Sequence, residues 1–212
     1  MENDNTKEQQ ATRRTWLVAC VTALVTAFTI ALPLAAQDDI ITPPPVPAGL
    51  EVSDANEAFL LGRGVGTQNY ICVPATTIGH VAWTLFTPQA TLFSDEAEQL
   101  TTHFSSPNPD EDGVVRVSWQ DSRDTSRVWA RLDTPSSDPN FVAAGAIPWL
   151  LLEAVGKQVG PLGGNTLAVT TFIQRLNTVG GVAPSTGCNL PTDIGNRRFV
   201  PYAADYLFYR KK

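Results

Sequence analysis

Two histidines, one methionine and three cysteines are all that the 212 residues carry of those types, and each scarcity closes off some chemistry. With only His80 and His103, no three-histidine metal site can be assembled and imidazole acid–base catalysis has two agents at most. Neither a Gly-x-Ser-x-Gly elbow nor another nucleophile motif occurs, which argues against a serine hydrolase. No glycine-rich strand-turn-helix is present to hold a dinucleotide. No metal and no cofactor is therefore expected. Charged residues make up 17% and leave a net charge of -6. The 12 Lys and Arg beyond residue 37 are scattered, apart from the tail Arg210, Lys211 and Lys212, so nucleic acid is excluded as a partner. A helical bundle is excluded too, because 16 Pro and 15 Gly, almost all beyond residue 40, interrupt every would-be helix.

The one long apolar run is at the start. Arg13 and Arg14 precede Trp16 to Leu34, and Ala35 and Ala36 follow, which reads as an export signal over residues 1–37. The paired arginines fit either a twin-arginine signal or an ordinary one. An uncleaved anchor is the alternative, since about 20 apolar residues can span a bilayer. Both readings place residues 38–212 outside the cytoplasm, secreted, periplasmic or extracellular, with membrane contact only through the N-terminal segment. Residues 38–48 contain Pro43-Pro44-Pro45-Val46-Pro47 and read as an extended spacer. Beyond the signal remain Cys72 and Cys188, an even number in an oxidising compartment, which predicts a disulfide; two buried free thiols are the alternative.

From residue 49 onward, short apolar or alternating runs recur between turn signals: Ala58 to Leu61, Thr67 to Val73, Val81 to Phe86, Val114 to Trp119, Arg127 to Leu132, Ile147 to Val155, Thr166 to Leu176 and Phe199 to Tyr209. Their length and β-branched, aromatic content predict an all-β domain of about eight to ten strands. Regular spacing with Gly and Pro between the runs favours a β-sandwich or a small closed β-barrel. At most one short helix is expected, near Asp95 to Leu100.

The densest polar and aromatic stretch runs from Ser118 to Trp129. Trp119 and Trp129 flanking Asp121, Arg123 and Asp124, with His103 and Arg116 nearby, could line a cleft in which aromatic faces supply area and charges orient a ligand. The plainer reading is a hairpin whose tryptophans enter the core while the charges form surface ion pairs. Asn108 to Gly113 mimics the start of a calcium loop, but Trp119 stands where the closing acid belongs, so a solvated acidic loop is expected.

Several strings taken together resemble one family: GVGTQNYIC (Gly64 to Cys72), SWQDSRDTSRVWA (Ser118 to Ala130), TTFIQRLNTVGGVAPSTGC (Thr170 to Cys188) and VPYAADYLFYR (Val200 to Arg210). Their order and content are similar to exported bacterial and fungal proteins grouped as domain-of-unknown-function family 3455, over about Val46 to Arg210. The resemblance implies a secreted single domain and brings no catalytic residues or cofactor. The functional expectation is an extracellular binding or surface-associated module for a small molecule or glycan. The alternatives are a metal-independent exported lyase, isomerase or hydrolase using His103 with Arg116 or Arg123, and a purely structural envelope protein.

Overall fold

The computed structural model describes residues 41–212; the expected export helix lies outside the described residues. The domain is all-β: β1 (Asn56–Pro74), β2 (Val81–Phe93), β3 (Gln99–Asn108), β4 (Val114–Asp121), β5 (Arg127–Ser136), β6 (Trp149–Gln158), β7 (Thr170–Gly180) and β8 (Arg197–Lys211). Each strand pairs antiparallel with the next, and β8 closes on β1 from Asn56↔Lys211 to Ile71↔Arg197. The result is a closed eight-stranded barrel, in which every strand lies between two neighbours.

Two expectations change. The runs Ala58 to Leu61 and Thr67 to Val73 are parts of the single 19-residue β1. The expected helix near Asp95 to Leu100 is instead a hairpin turn followed by the start of β3. Ser94 Oγ accepts the Glu96 and Glu98 N–H groups and Ala97 takes a left-handed conformation, so a serine-capped turn forms where six residues are too few to nucleate a helix.

Strand alternation gives the barrel two apolar faces. On β8, Tyr202, Ala204, Tyr206 and Phe208 point inward with Leu92, Trp119, Val128, Ala130, Leu152 and Ile173. The intervening Leu207 and Tyr209 point outward and join Trp149, Leu151 and Leu176 beneath Leu50 and Val142. Period-2 alternation is lost in this strand because both faces are covered. The covering segment includes the end of the proline stretch. Pro43 to Pro45 are exposed, but Pro47 and Leu50 are buried, and Gln174 Nε2 donates to Leu50 O at 2.6 Å while its Oε1 accepts from Tyr209 Oη.

The inward face of β1 carries Gly62 and Gly64, because the interior leaves no room there for a side chain. A Cβ on Gly62 would lie 2.9 Å from Leu92 Cβ, and one on Gly64 would lie 2.7 Å from Tyr206 Cε2. Glycine weakens a strand in isolation, yet here it lets the large aromatics of β8 cross the barrel and the strand coil tightly.

The four connections at one end are β1–β2, β3–β4, β5–β6 and β7–β8; the other end holds β2–β3, β4–β5 and β6–β7. The second end is closed by packing, with Leu167, Phe208 and Leu92 fully buried. At the first end Cys72 and Cys188 are bridged, Cα to Cα 5.5 Å across 116 residues of sequence. The bridge pins the β7–β8 loop to β1, where Cys72 N–H also donates to Asn196 O and Gly195 N–H to Cys72 O.

Candidate functional site

At the disulfide end the barrel is a cup. Pairing between β2 and β3 stops at Gln89↔Phe104, because the next β2 residue, Pro88, has no N–H to donate. Thr87 Oγ1 instead accepts the Ser105 N–H at 3.1 Å. The first half of β2 peels from β3, and a cavity of about 380 Å³ opens into the lumen. Its lip carries the exposed Leu85, Val115 and Leu132; its walls are Val117, Ala130, Leu150 and Leu152; its deeper surface is His103, Trp119 and Tyr206. Gln68, Tyr70 and Arg175 add polar groups. That size and that mix of apolar wall with few polar groups are those of small-molecule sites.

The register explains the deeper surface. Gly66 pairs with Ala90, Ala90 with His103, His103 with Trp119, and Trp119 with Val128, so all five share the inward face. His103 is 3% exposed and stacks on Trp119, ring centroids 4.1 Å apart. Tyr206 closes against both rings at 5.3 and 5.8 Å. His103 Nδ1 lies 3.0 Å from Ser118 O; a carbonyl only accepts, so Nδ1 carries the proton and Nε2 keeps a lone pair. Burial pushes the imidazole down to about 3, against the Ser118 hydrogen bond and aided by the Arg175 cation. It is neutral at every physiological pH and a weak base.

The tyrosines stay protonated. Burial raises Tyr70, Tyr202 and Tyr206, with the neighbouring Arg175 guanidinium opposing in each case. Tyr70 donates to Gly181 O at 2.7 Å, and the Tyr202 and Tyr206 hydroxyls meet at 2.9 Å. Three nitrogens around the lumen, Gln68 Nε2, Trp119 Nε1 and Arg175 Nε, are buried without a hydrogen-bond partner. Each such group costs on the order of 1–3 kcal/mol relative to a satisfied one.

The residues singled out in sequence divide three ways. His103 and Trp119 line the cup. Trp129 follows Val128 by one residue and so faces outward; it is buried there, with Nε1 donating to Ser106 Oγ at 2.8 Å. Arg116 also points away from the lumen but reaches the lip of the cup, where Glu111 holds it bidentately at 2.8 and 2.7 Å. Asp121, Arg123 and Asp124 belong to the β4–β5 turn at the closed end. Asp121 Oδ1 accepts the Arg123 and Asp124 N–H groups, both at 2.8 Å, and Arg123 pairs with Glu98. Asp124 accepts from Ser126 and Thr166 N–H at 2.8 and 2.9 Å. Although burial opposes it, these hydrogen bonds hold its carboxyl well below the usual range. These three build a turn and tie it to the β6–β7 loop.

In the acidic β3–β4 loop, Asn108 is fully buried and bonds Val155 O, Asp110 accepts the Lys157 N–H, and Glu111 is brought down to about 2 by Arg116 and Asn108. Among the described residues no group of three His, Cys, Asp or Glu comes together to hold a metal ion. A shallower groove of about 660 Å³ over β1 to β3 is lined by residues such as Thr67, Gln89, Thr91 and Thr102 and carries no charged side chain.

Residues 53–210 match the family described as Protein of unknown function (DUF3455). No curated protein and no solved structure matches the chain.

Proposed function

The chain belongs to the DUF3455 family, and we propose that its barrel is a binding module that holds a small molecule in the cup at the disulfide end. The observation that carries this reading is the lumen itself. A small barrel can be filled by its own side chains, and the closed half of this one is; the other half keeps about 380 Å³ open. Buried polar nitrogens without partners surround that space, and an apolar lip leads into it. The neutral His103, stacked and tied to Ser118, serves as a shaped floor with one acceptor.

The binding module works outside the cytoplasm in this account, with residues 1–37 as signal peptide or anchor. The Cys72–Cys188 bridge supports that placement, because such a bond persists in oxidising compartments. Mass spectrometry of secreted protein is expected to find an N-terminus near Gln37 or Asp38; an intact Met1 would contradict cleavage.

Fluorescence titration with phenylnaphthylamine, a neutral apolar dye, tests the cup. The wild-type barrel is expected to bind it saturably at one site. Val117→Trp and Leu150→Trp place an indole in the open volume and are expected to abolish binding while the barrel still unfolds cooperatively. No saturable binding, or binding unchanged in both folded variants, would overturn the reading.

A further inference from the structure

We propose that the ligand of this cup is a small organic monoanion, a carboxylate or sulfonate on an apolar body, and that Arg175 is its charge partner. The inference rests on the cup being a binding site and adds the chemical class of what it takes.

The lining of the cavity contains three arginines and no aspartate or glutamate, in a chain whose net charge is -6. No carboxylate of the described residues enters the lumen, although the chain as a whole is acidic. Two of the arginines are already neutralised at the lip, Arg116 by Glu111 at 2.7 Å and Arg131 by Glu153 at 2.6 Å. Arg175 is different. It projects inward from β7 between Leu150 of β6 and Tyr206 of β8, and no carboxylate among the described residues pairs with it. Its Nη2 donates to Pro148 O at 2.8 Å, while its buried Nε has no partner. A partly desolvated guanidinium without a counterion is unfavourable. An anion supplied from outside removes that cost and gains charge-assisted hydrogen bonds in the planar fork that suits a carboxylate.

Neighbouring groups are donors as well. In the Tyr202–Tyr206 pair one hydroxyl proton serves the mutual bond, and the second is left to donate. Gln68, 1% exposed, has an amide nitrogen without a partner. A single unpaired cation suits a single negative charge. The apolar walls and the lip at Leu85, Val115 and Leu132 would cover the remainder of the molecule.

Anilinonaphthalene sulfonate and phenylnaphthylamine differ by one sulfonate, so their dissociation constants on the same protein isolate the charge. The wild-type protein is expected to bind the sulfonate about 10- to 100-fold more tightly, the range of a charged hydrogen-bonded contact. Arg175→Gln is expected to erase that preference, bringing the two dyes' dissociation constants within about threefold of each other, with Arg175→Lys keeping part of it. Octanoate should displace the bound sulfonate and octanol should compete far less, which separates a carboxylate ligand from one restricted to sulfonates. Equal affinity of the wild-type protein for the two dyes would overturn the role of Arg175 and leave the cup standing. A preference that survives in Arg175→Gln would also overturn it. Binding of the neutral dye without the sulfonate would overturn only the role of Arg175, and failure of both dyes to bind would overturn the cup as well.

Discussion

Burying His103 as a neutral ring makes acid a specific threat to this barrel. The imidazole titrates near 6.5 in an unfolded chain and at about 3 in the lumen. Its contribution is thus fully present above pH 6.5 and is withdrawn as pH falls toward 3, at up to about 1.4 kcal/mol per pH unit. Between pH 7 and 4.5 the loss from this one residue is roughly 2.5 kcal/mol, a large share of the 5–15 kcal/mol by which domains are stable. His103→Phe keeps an aromatic ring against Trp119 but cannot charge. Losing the Nδ1–H to Ser118 O lowers its stability by an amount that does not depend on pH. Urea unfolding of both proteins at half-unit pH steps would give the difference curve, in which carboxylates such as Asp124 and Glu111 cancel. The stability of the wild type minus that of His103→Phe is expected to fall by about 2–3 kcal/mol from pH 7 to 4.5, the variant becoming the more stable protein in acid. Parallel acid sensitivity in the two proteins would refute the buried neutral imidazole.

Three other perturbations follow from the fold. Replacing Cys72 and Cys188 together by serine releases a loop spanning 116 residues and should lower urea stability by about 4–5 kcal/mol in the chain-entropy treatment; an unchanged urea midpoint would argue against that contribution. Asp124→Ala removes the acceptor of two backbone N–H groups and should cost about 1–3 kcal/mol at pH 7. Because the folded carboxyl is held low, that contribution is present in full above pH 4 and shrinks as pH falls toward the depressed value, so the melting temperatures of the two proteins should draw together progressively below pH 4; a constant gap would count against the clamp. Gly64→Ala drives a methyl into the Tyr206 ring and should destabilise by about 1–3 kcal/mol. Adding Tyr206→Leu should recover part of that loss in a double-mutant cycle, and strict additivity would contradict the close approach.

The all-β class was legible because strands announce themselves locally, through alternation and through Gly and Pro between runs. Sandwich and barrel were not separable, since closure depends on pairing of β1 with β8, Asn56 against Lys211, which no local pattern encodes. The candidate site was read from residue types clustered in sequence, and the hairpin explains why that grouped residues of different fates. Trp119 pairs with Val128, so Trp129 must face the opposite side of the sheet. Asp121, Arg123 and Asp124 sit in a turn whose Asp and Ser side chains cap backbone N–H groups, a local role that their spacing already suited. Arg175 was missed because an arginine in a strand reads as a surface charge. Its position two residues from the buried Ile173 was the available signal, and it becomes decisive only once the register of β7 against β8 is known.

The most direct test of the binding account is a two-dimensional amide and indole NMR titration of the barrel with anilinonaphthalene sulfonate, which reports location as well as affinity. Binding in the cup produces saturable shifts at Tyr70, His103, Arg175 and the Trp119 indole N–H, all from residues lining the cup, with the outward-facing Trp129 indole unmoved. Shifts confined to the outer groove at Thr67, Thr91 and Thr102, or none at the lumen residues when the probe is saturating, would contradict it.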